Sequence, residues 1–536
     1  MRCLFLTSMS KCKNILIGVF AVSNIRNFLE IGFQGGVLIS PDAPLQTFVM
    51  YFLHYTLFYY MIFAALSLML YGFARKHIKL SEAYTVGASA ICLVCLAPIL
   101  DSILLGRIDI AYPVNPWNVV CNLNHFWDFG YDYHGLSFGM RIEITLASLA
   151  AMVYLYIKTK RIVRSVICGM CVAFVCLALG LMVPTLAQLY DNGLNFADDY
   201  NLRFSTLLQG GCVLKTSSDK ISVLYILLCV LLFAVGYFIR NRRYFVSVIK
   251  NFRITRAVHY LLLFFAGVAF IYYNPPVENP LYEDFEFLKD FGHPFDIIGV
   301  AMAAAAIFLS FESAVIFNDI YDYNVDCVSN PNRPLVAKTI PFDEFKLMGG
   351  VFLVLALMIA ISVNPTFFML VLVYNLAAFL YSAPPVRLRK YIGVSNLLLA
   401  FIFLLTFYAG TTVIIPDFML ANVPSHISIG LLVCFFLALT IKDIKDTKGD
   451  KADNIQTLST VMSPKVGNIV TVACVCCSIL LSPWLFHQRN LYLFAFVVLA
   501  AFLLGAKFIR NTKIKEAYVT ILYYLYVVVL MVNVIW

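Results

Sequence analysis

The chain has 536 residues, of which 61% are hydrophobic and only 13% are charged, and its mean hydropathy is +0.84. Soluble domains carry about 25% charged residues, so this composition excludes an ordinary soluble fold. The net charge of +9 is spread over short loops and forms no basic face with interleaved aromatic residues, which excludes nucleic acid as a partner.

Apolar segments close to the roughly 20 residues needed to cross a bilayer recur along the whole chain. Helices satisfy their backbone hydrogen bonds within such segments, so we predict an all-α polytopic membrane protein. Six predicted helices come first, at 13–33, 46–73, 83–105, 138–157, 164–189 and 221–239. Nine follow, at 257–273, 294–322, 346–363, 366–382, 392–414, 427–446, 466–486, 490–509 and 518–536. The basic connector at 240–256 separates an N-terminal domain, 1–250, from a C-terminal domain, 251–536.

The first six helices carry no motif that indicates a function, so the role of residues 1–250 is open. Arg26 and Glu30 stand four residues apart in the first helix. They could pair there, since isolated charges inside a membrane are costly. Either Asn24, Arg26, Asn27 and Glu30 line a polar pocket, or the segment lies partly in the interface. Each long loop of this block holds one cysteine, Cys121 and Cys212, and a disulfide between them is a hypothesis for an oxidising compartment.

The second of the nine helices ends in an aspartate motif. Asp319, Asp322 and Asp326 stand at i, i+3 and i+7, and Asn318 lies four residues before Asp322. Four oxygen-bearing side chains are therefore predicted to share one helical face. Carboxylates at this density repel one another, and at the edge of a membrane they require compensating cations.

The sixth of the nine helices ends in a second motif, in which Lys442 precedes Asp443, Asp446 and Asp450 at the same spacing. Oxygen ligands without neighbouring Cys or His suit Mg²⁺, which commonly bridges carboxylates to phosphates. We therefore predict that the two motifs hold Mg²⁺ and a diphosphate between them. For either motif taken singly, a solvated helix cap is an equal alternative.

A third motif, Tyr-Ser-Ala-Pro-Pro-Val-Arg, begins at Tyr381 and closes the fourth of the nine helices. Its Pro-Pro pair ends the helix and fixes an extended turn that aims Arg387 in a definite direction. We expect Tyr381 and Arg387 to face a phosphate. Arg389 and Lys390 are interpreted as basic residues that only set the topology.

Positive charge in the loops predicts the orientation of the nine helices. The loops on the side of the aspartate motifs carry fifteen Lys and Arg residues, and the opposite loops carry only Lys289 and Arg489. Lys and Arg are retained on the cytoplasmic side. We therefore expect a multi-pass protein of a bacterial or archaeal plasma membrane, with the aspartate motifs facing the cytoplasm.

These three motifs, together with the Asn-Pro-Asn-Arg-Pro-Leu run from Asn330, resemble the UbiA superfamily of intramembrane prenyltransferases. The resemblance covers about residues 250–536 and implies a nine-helix bundle with a central cavity open to lipid. It implies that an isoprenyl diphosphate is ionised with the help of Mg²⁺ as cofactor. The allylic carbon would then pass to a lipid-soluble or amphipathic acceptor, such as an aromatic or quinone precursor or a glycerophospholipid, among the membrane lipids.

The resemblance also implies roles for individual residues. It implies metal binding by Asn318, Asp322, Asp326, Asp446 and Asp450, the four aspartates being catalytic, with Asp319 and Asp443 as further ligands or their support. It implies diphosphate binding by Arg333, Tyr381, Arg387 and Lys442. The chain departs from the family at Val336-Ala337-Lys338, where related sequences often have a small Ser-Gly-type turn, so the geometry of this loop is open.

An allylic cation needs a dry chamber lined by aromatic rings. The candidates for its walls are Phe308, Phe311, Phe379, Phe403, Phe407 and Tyr408. Two other functions stay open for the same residues. One is a different reaction of a lipid diphosphate, such as cyclisation or phosphoribosyl transfer, and the other is a non-enzymatic carrier of polyprenyl lipids.

Overall fold

The computed structural model describes residues 2–34, 45–104, 124–128, 136–189, 213–214, 217–274, 294–414, 423–444, 451, 455–508 and 512–535. Within these ranges the elements of regular structure are helices, which confirms the predicted all-α fold. The chain divides into two compact units, Met1–Phe245 and Val246–Trp536. Cys121 and Cys212 lie outside the described residues, and their disulfide stays a hypothesis.

Among the described residues of the N-terminal unit, six segments are long and apolar enough to span a membrane, as predicted. Its helices are α1 Arg2–Gln34, α2 Leu45–Ala74, α3 Leu80–Ala90, α4 Leu96–Leu104, α5 Phe138–Thr159, α6 Ile162–Leu189 and α7 Ser217–Arg240. A short basic helix, α8 Arg242–Lys250, contains the boundary between the two units.

The spanning helices of the N-terminal unit bury a charged pair. Arg26 and Glu30 are 1% and 2% exposed and form an ion pair within α1. The Arg26 guanidinium also lies over the rings of Tyr55 and Tyr59 on α2, at 5.4 and 5.5 Å from their centroids. The carboxylate and the two ring faces together compensate a charge that is costly in a membrane. The ion pair that the sequence left open as a possibility is therefore present in the structure.

In the C-terminal unit, the described residues form six long spans and three shorter apolar helices, which confirms the nine predicted. The helices are α9 Ile254–Tyr273, α10 Pro294–Tyr321, α11 Tyr323–Ser329, α12 Phe342–Val363, α13 Pro365–Ser382, α14 Val394–Ile414, α15 Ser425–Ala438, α16 Leu458–Val461, α17 Pro464–Leu485, α18 Tyr492–Phe508 and α19 Thr512–Ile535.

A single residue turns the chain between α12 and α13. Asn364 Oδ1 accepts a hydrogen bond from the Phe367 N–H at 2.7 Å and so caps α13, while Asn364 Nδ2 donates to the Thr412 carbonyl on α14 at 3.0 Å. Pro365 begins α13, where a missing N–H leaves no hydrogen bond unmade. These contacts fix the start of the helix whose other end carries the Tyr381 motif.

Two glycines allow α9 and α14 to approach closely. A Cβ added at Gly267 would lie 3.1 Å from Gly410 Cα and would clash with the Phe407 carbonyl oxygen. Small residues at a helix crossing allow this approach of backbones inside a membrane. The crossing fixes α9, which begins beside the first aspartate motif.

Candidate active site

The first aspartate motif lies where α10 ends. The helix stops at Tyr321, and Asp322 precedes α11 with φ −95° and ψ 15°. Helical hydrogen bonding nevertheless continues, because the Asp322 N–H donates to the Asn318 carbonyl at 2.8 Å and the Asp326 N–H donates to the Asp322 carbonyl at 2.9 Å. Asp319, Asp322 and Asp326 are 3%, 1% and 4% exposed. Three buried carboxylates thus follow one another along a nearly continuous helix.

Two arginines share the carboxylate of Asp319. Arg253 comes from the residues just before α9, Arg333 comes from the turn after α11, and both guanidinium groups pair with Asp319 Oδ1. Arg333 Nε is also 3.7 Å from Asp326 Oδ1, to which Asn330 Nδ2 donates a hydrogen bond at 3.0 Å. Desolvation of an unpaired carboxylate costs several kcal/mol, and these partners compensate it.

The turn after α13 supplies two more arginines, both to Asp322. Arg387 has a left-handed backbone conformation, with φ 39°, and its N–H donates to the Ala383 carbonyl at 2.9 Å. Its guanidinium donates to Asp322 Oδ1 at 2.9 Å, and the Arg389 guanidinium pairs with Asp322 Oδ2. The interpretation of Arg389 as a residue that only sets the topology is wrong, because its side chain reaches the aspartate motif.

The end of α13 contacts the motif through Ser382. Its hydroxyl donates to Asn318 Oδ1 at 2.9 Å, which holds the Asn318 amide against α13. Tyr381, one residue earlier, is half-buried. The Lys390 carbonyl accepts a hydrogen bond from the Gln456 N–H at 3.0 Å. This bond ties the arginine-bearing turn to the chain that follows the second aspartate motif.

The second aspartate motif is described only in part. A 3₁₀ helix, Leu439–Ile444, extends the helix before it. The side chains of Lys442 and Asp443 lie outside the described residues, and so do Asp446 and Asp450 entirely. The assignment of these four residues to metal and diphosphate therefore stays a prediction.

The donor set of the first motif suits Mg²⁺. Asn318, Asp322 and Asp326 offer carboxylate and amide oxygens, the hard ligands that Mg²⁺ prefers, and their hydrogen-bonding and ion-pair partners are polar or cationic. Among the described residues no group of three or more His, Cys, Asp and Glu side chains is arranged so that it could hold a metal ion. The carboxylates face guanidinium groups, which carry the positive charge that a metal ion would otherwise supply.

An apolar cavity of about 150 Å³ lies in the C-terminal unit, between α9, α14, α15 and α19. Its lining includes His259, Leu263, Phe403, Phe435, Tyr524 and Met531. Phe403 stacks on Phe435 and on Tyr260, with 4.7 Å between ring centroids in each pair. Such a column of ring faces stabilises a nearby positive charge.

The other aromatic residues predicted for this chamber differ in position. Phe311 extends the ring column, with its centroid 4.9 Å from that of Tyr260. Phe379 is 48% exposed. Phe308 and Phe407 pack against other phenylalanines away from the cavity lining. Of the predicted wall residues, Phe403 is the one that lines the described cavity.

Arg253 and Ser382 contact the first aspartate motif but were not predicted from the sequence. Arg253 belongs to the basic connector, where its charge indicated only topology. The available signal was its position directly before the first of the nine helices, on the predicted side of the aspartate motifs. Ser382 lies inside the third motif, but a hydroxyl next to Tyr381 carried no sign of its bond to Asn318.

Residues 288–530 match the model of the UbiA prenyltransferase family, and no family model matches the N-terminal half. A digeranylgeranylglyceryl phosphate synthase of Methanobrevibacter smithii is 26% identical over 235 residues, which are 41% of this chain and 80% of that protein. A solved UbiA homologue of Archaeoglobus fulgidus bound to GPP and Mg²⁺ is 17% identical, with a TM-score of 0.40, over 54% of this chain and 99% of its own. A solved digeranylgeranylglyceryl phosphate synthase is also 17% identical, with a TM-score of 0.37, over 54% and 98%.

Proposed function

We propose that this chain moves an isoprenyl group from an isoprenyl diphosphate to a lipid acceptor within the membrane. The premise is that residues 288–530 make its C-terminal half a member of the UbiA prenyltransferase family. The observation that carries the proposal is the buried cluster of Asp319, Asp322 and Asp326, faced by arginines from three separate segments. A cluster with both signs of charge suits a multiply charged anion that arrives with its own cations.

Both aspartate motifs contribute to this proposed site. Asn318, Asp322 and Asp326 of the first motif and Asp446 and Asp450 of the second are the proposed ligands of Mg²⁺. Mg²⁺ bound there would neutralise the diphosphate and make it a better leaving group. A supporting position for Asp319 agrees with its two arginine partners.

Arg333 and Arg387 are the proposed diphosphate ligands, with Tyr381 and Lys442 beside them. A guanidinium presents several N–H donors in a planar fork that fits phosphate as well as carboxylate. The side chains of Arg333 and Arg387 are 20% and 12% exposed, so neither is completely enclosed by the protein. When a diphosphate enters, each can bond a phosphate oxygen in place of an aspartate oxygen.

The apolar cavity suits the isoprenyl part of the substrate. Its apolar lining disfavours water, which would otherwise capture the allylic cation. As the bond between the allylic carbon and the diphosphate oxygen breaks, the rings of Phe403 and Phe435 can stabilise the positive charge on the carbon. The nucleophilic atom of the acceptor then forms a bond to that carbon, and the diphosphate leaves.

A glycerol phosphate lipid is the acceptor that we favour. The support is the similarity to the Methanobrevibacter smithii protein, which is named as a digeranylgeranylglyceryl phosphate synthase. The positively charged loops support an orientation with the aspartate motifs on the cytoplasmic side. An aromatic or quinone-precursor acceptor is the alternative, and the assay described below distinguishes it from a glycerol phosphate lipid.

The first prediction concerns the full-length protein in lipid nanodiscs with geranylgeranyl diphosphate, Mg²⁺ and geranylgeranylglyceryl phosphate. We expect release of diphosphate with formation of a doubly prenylated lipid. Asp322→Asn and Asp446→Asn should each lower this rate on the order of a hundredfold to a thousandfold, because each removes charge that stabilises the leaving diphosphate. Asp343→Asn, at an exposed acid in the first turn of α12, should leave the rate unchanged.

A rate unaffected by Asp322→Asn and Asp446→Asn would refute the site assignment. Diphosphate release that requires an aromatic acceptor would refute the glycerol phosphate acceptor but would leave the assignment of the aspartate site unaffected. Equal release with no acceptor present would instead indicate cyclisation or hydrolysis.

A further inference from the structure

The residues just before α9 are bound to one face of α10 at three points. The Phe252 ring packs against Phe308, with 5.5 Å between centroids. The Arg253 N–H donates to Glu312 Oε1 at 2.8 Å, and the Arg253 guanidinium pairs with Asp319. Positions 308, 312 and 319 fall within about 40° of one another around a helix. The start of α9 is therefore attached along a single stripe of α10 that leads to the aspartate motif.

Glu312 is the unexpected member of this stripe. It is 2% exposed and lies two turns before Asp319, inside a spanning helix where an ionisable side chain is costly. Arg253 is the residue immediately before α9, at its N-cap position, and its side chain does not cap the helix. Because helix starts leave backbone N–H groups without partners, the Glu312 carboxylate supplies an acceptor from the neighbouring helix.

Apolar packing strengthens the same attachment. The Phe252 ring also lies 5.8 Å from the ring of Phe352 on α12, between centroids. Arg253 is the residue next to Phe252. The hydrogen bond to Glu312 fixes the Arg253 backbone, and the long Arg253 side chain spans the distance to Asp319. Since an arginine side chain has several rotatable bonds, a fixed backbone lowers the entropy lost when the guanidinium reaches its partner.

We propose that Glu312 is a positioning residue of the aspartate site, which acts by holding the backbone of Arg253 so that its guanidinium stays on Asp319. This inference rests on the proposed function, in which the motif that contains Asp319 binds a metal–diphosphate complex. Loss of the Glu312 acceptor would release the start of α9 and leave Asp319 with Arg333 as its remaining arginine partner among the described residues.

The second prediction tests this role in the full-length protein in nanodiscs. The measured quantities are the Kd for inorganic diphosphate with Mg²⁺, by calorimetry, and the KM for geranylgeranyl diphosphate. Glu312→Leu removes the acceptor and should raise both constants roughly tenfold to a hundredfold, as expected for a lost hydrogen bond that holds a charged group. Glu312→Gln keeps an acceptor oxygen and should raise them about threefold or less.

A double variant separates positioning from general destabilisation. Arg253→Gln removes the guanidinium but keeps the backbone N–H, so Glu312→Leu should add nothing to the loss already caused by Arg253→Gln. Ser313→Ala is the matched control, because the Ser313 hydroxyl donates to the Gly349 carbonyl at 2.9 Å on the same buried helix. This control should lower Tm and leave the Kd unchanged.

Additive losses from Glu312→Leu and Arg253→Gln would overturn the inference, and so would an unchanged Kd in Glu312→Leu while the unaltered protein binds. Failure of the unaltered protein to bind diphosphate with Mg²⁺ would overturn the proposed function and this inference together. The binding of the unaltered protein therefore distinguishes the two failures.

Discussion

Lys338 has a left-handed backbone conformation, with φ 53°, in the turn after α11. The turn is closed by hydrogen bonds from the Lys338 N–H to the Leu335 carbonyl at 3.2 Å and from the Thr339 N–H to the Pro334 carbonyl at 2.9 Å. The sequence did not predict the geometry of this loop, because a lysine stands where related chains often have a small Ser-Gly-type turn. The chain makes the turn with an exposed side chain that bears a Cβ, which costs about 1 kcal/mol in this conformation.

The third prediction follows from that conformation. Lys338→Gly should raise the free energy of unfolding by up to about 1 kcal/mol, because relief of the Cβ outweighs the greater freedom of glycine in the unfolded chain. Thermal unfolding in detergent, monitored by intrinsic fluorescence, measures the change. Lys338→Ala keeps the Cβ and removes the same charge, so an equal gain in that variant would contradict the explanation.

At the scale of helices, most of the C-terminal unit could be predicted because its signals are local. Apolar runs gave its nine helices, and the aspartate spacing gave the end of α10. The interruption at Asp322 was missed, because residues that keep their helical hydrogen bonds carry no breaker in the sequence. The contact of Arg253 with Asp319 was also missed, since it joins residues 66 apart and depends on how α9 and α10 pack.

The fourth prediction concerns the crossing of α9 and α14. Gly267→Ala should lower the free energy of unfolding by about 1–3 kcal/mol, because the added Cβ meets the Phe407 carbonyl and forces the helices apart. Gly350→Ala on α12 is the matched control, since its Cβ would meet no atom within 4 Å. That variant should be neutral or stabilising by up to about 1 kcal/mol. Similar losses of Tm in both variants would contradict close helix packing as the cause.

For the whole molecule, the sequence predicted two parts but not the role of the first. The pair of Arg26 and Glu30 was predictable from their spacing, since both stand on one helix. The rings of Tyr55 and Tyr59 were not, because they belong to another helix and nothing local links them to Arg26. The partners of this buried charge are a carboxylate and two aromatic rings of the same unit, so the role of residues 1–250 stays open.

The fifth prediction tests the proposed orientation in native membranes. Cys327 is an exposed, free cysteine on α11, beside the first aspartate motif. A membrane-impermeant maleimide should label it in inverted vesicles and not in intact cells, because the motif is proposed to face the cytoplasm. Cys327→Ser identifies the signal by removing it. Labelling of Cys327 in intact cells would reverse the proposed orientation of all nine helices.

The arginines that face Asp319 and Asp322 also bear on how the protein is made. Carboxylates without counter-ions would resist insertion at the edge of the bilayer until metal arrived. Here the guanidinium groups of Arg253, Arg333 and Arg387 balance that charge from within the chain. We therefore expect the cluster to insert and fold without a bound divalent cation, because its counter-charges belong to the chain itself.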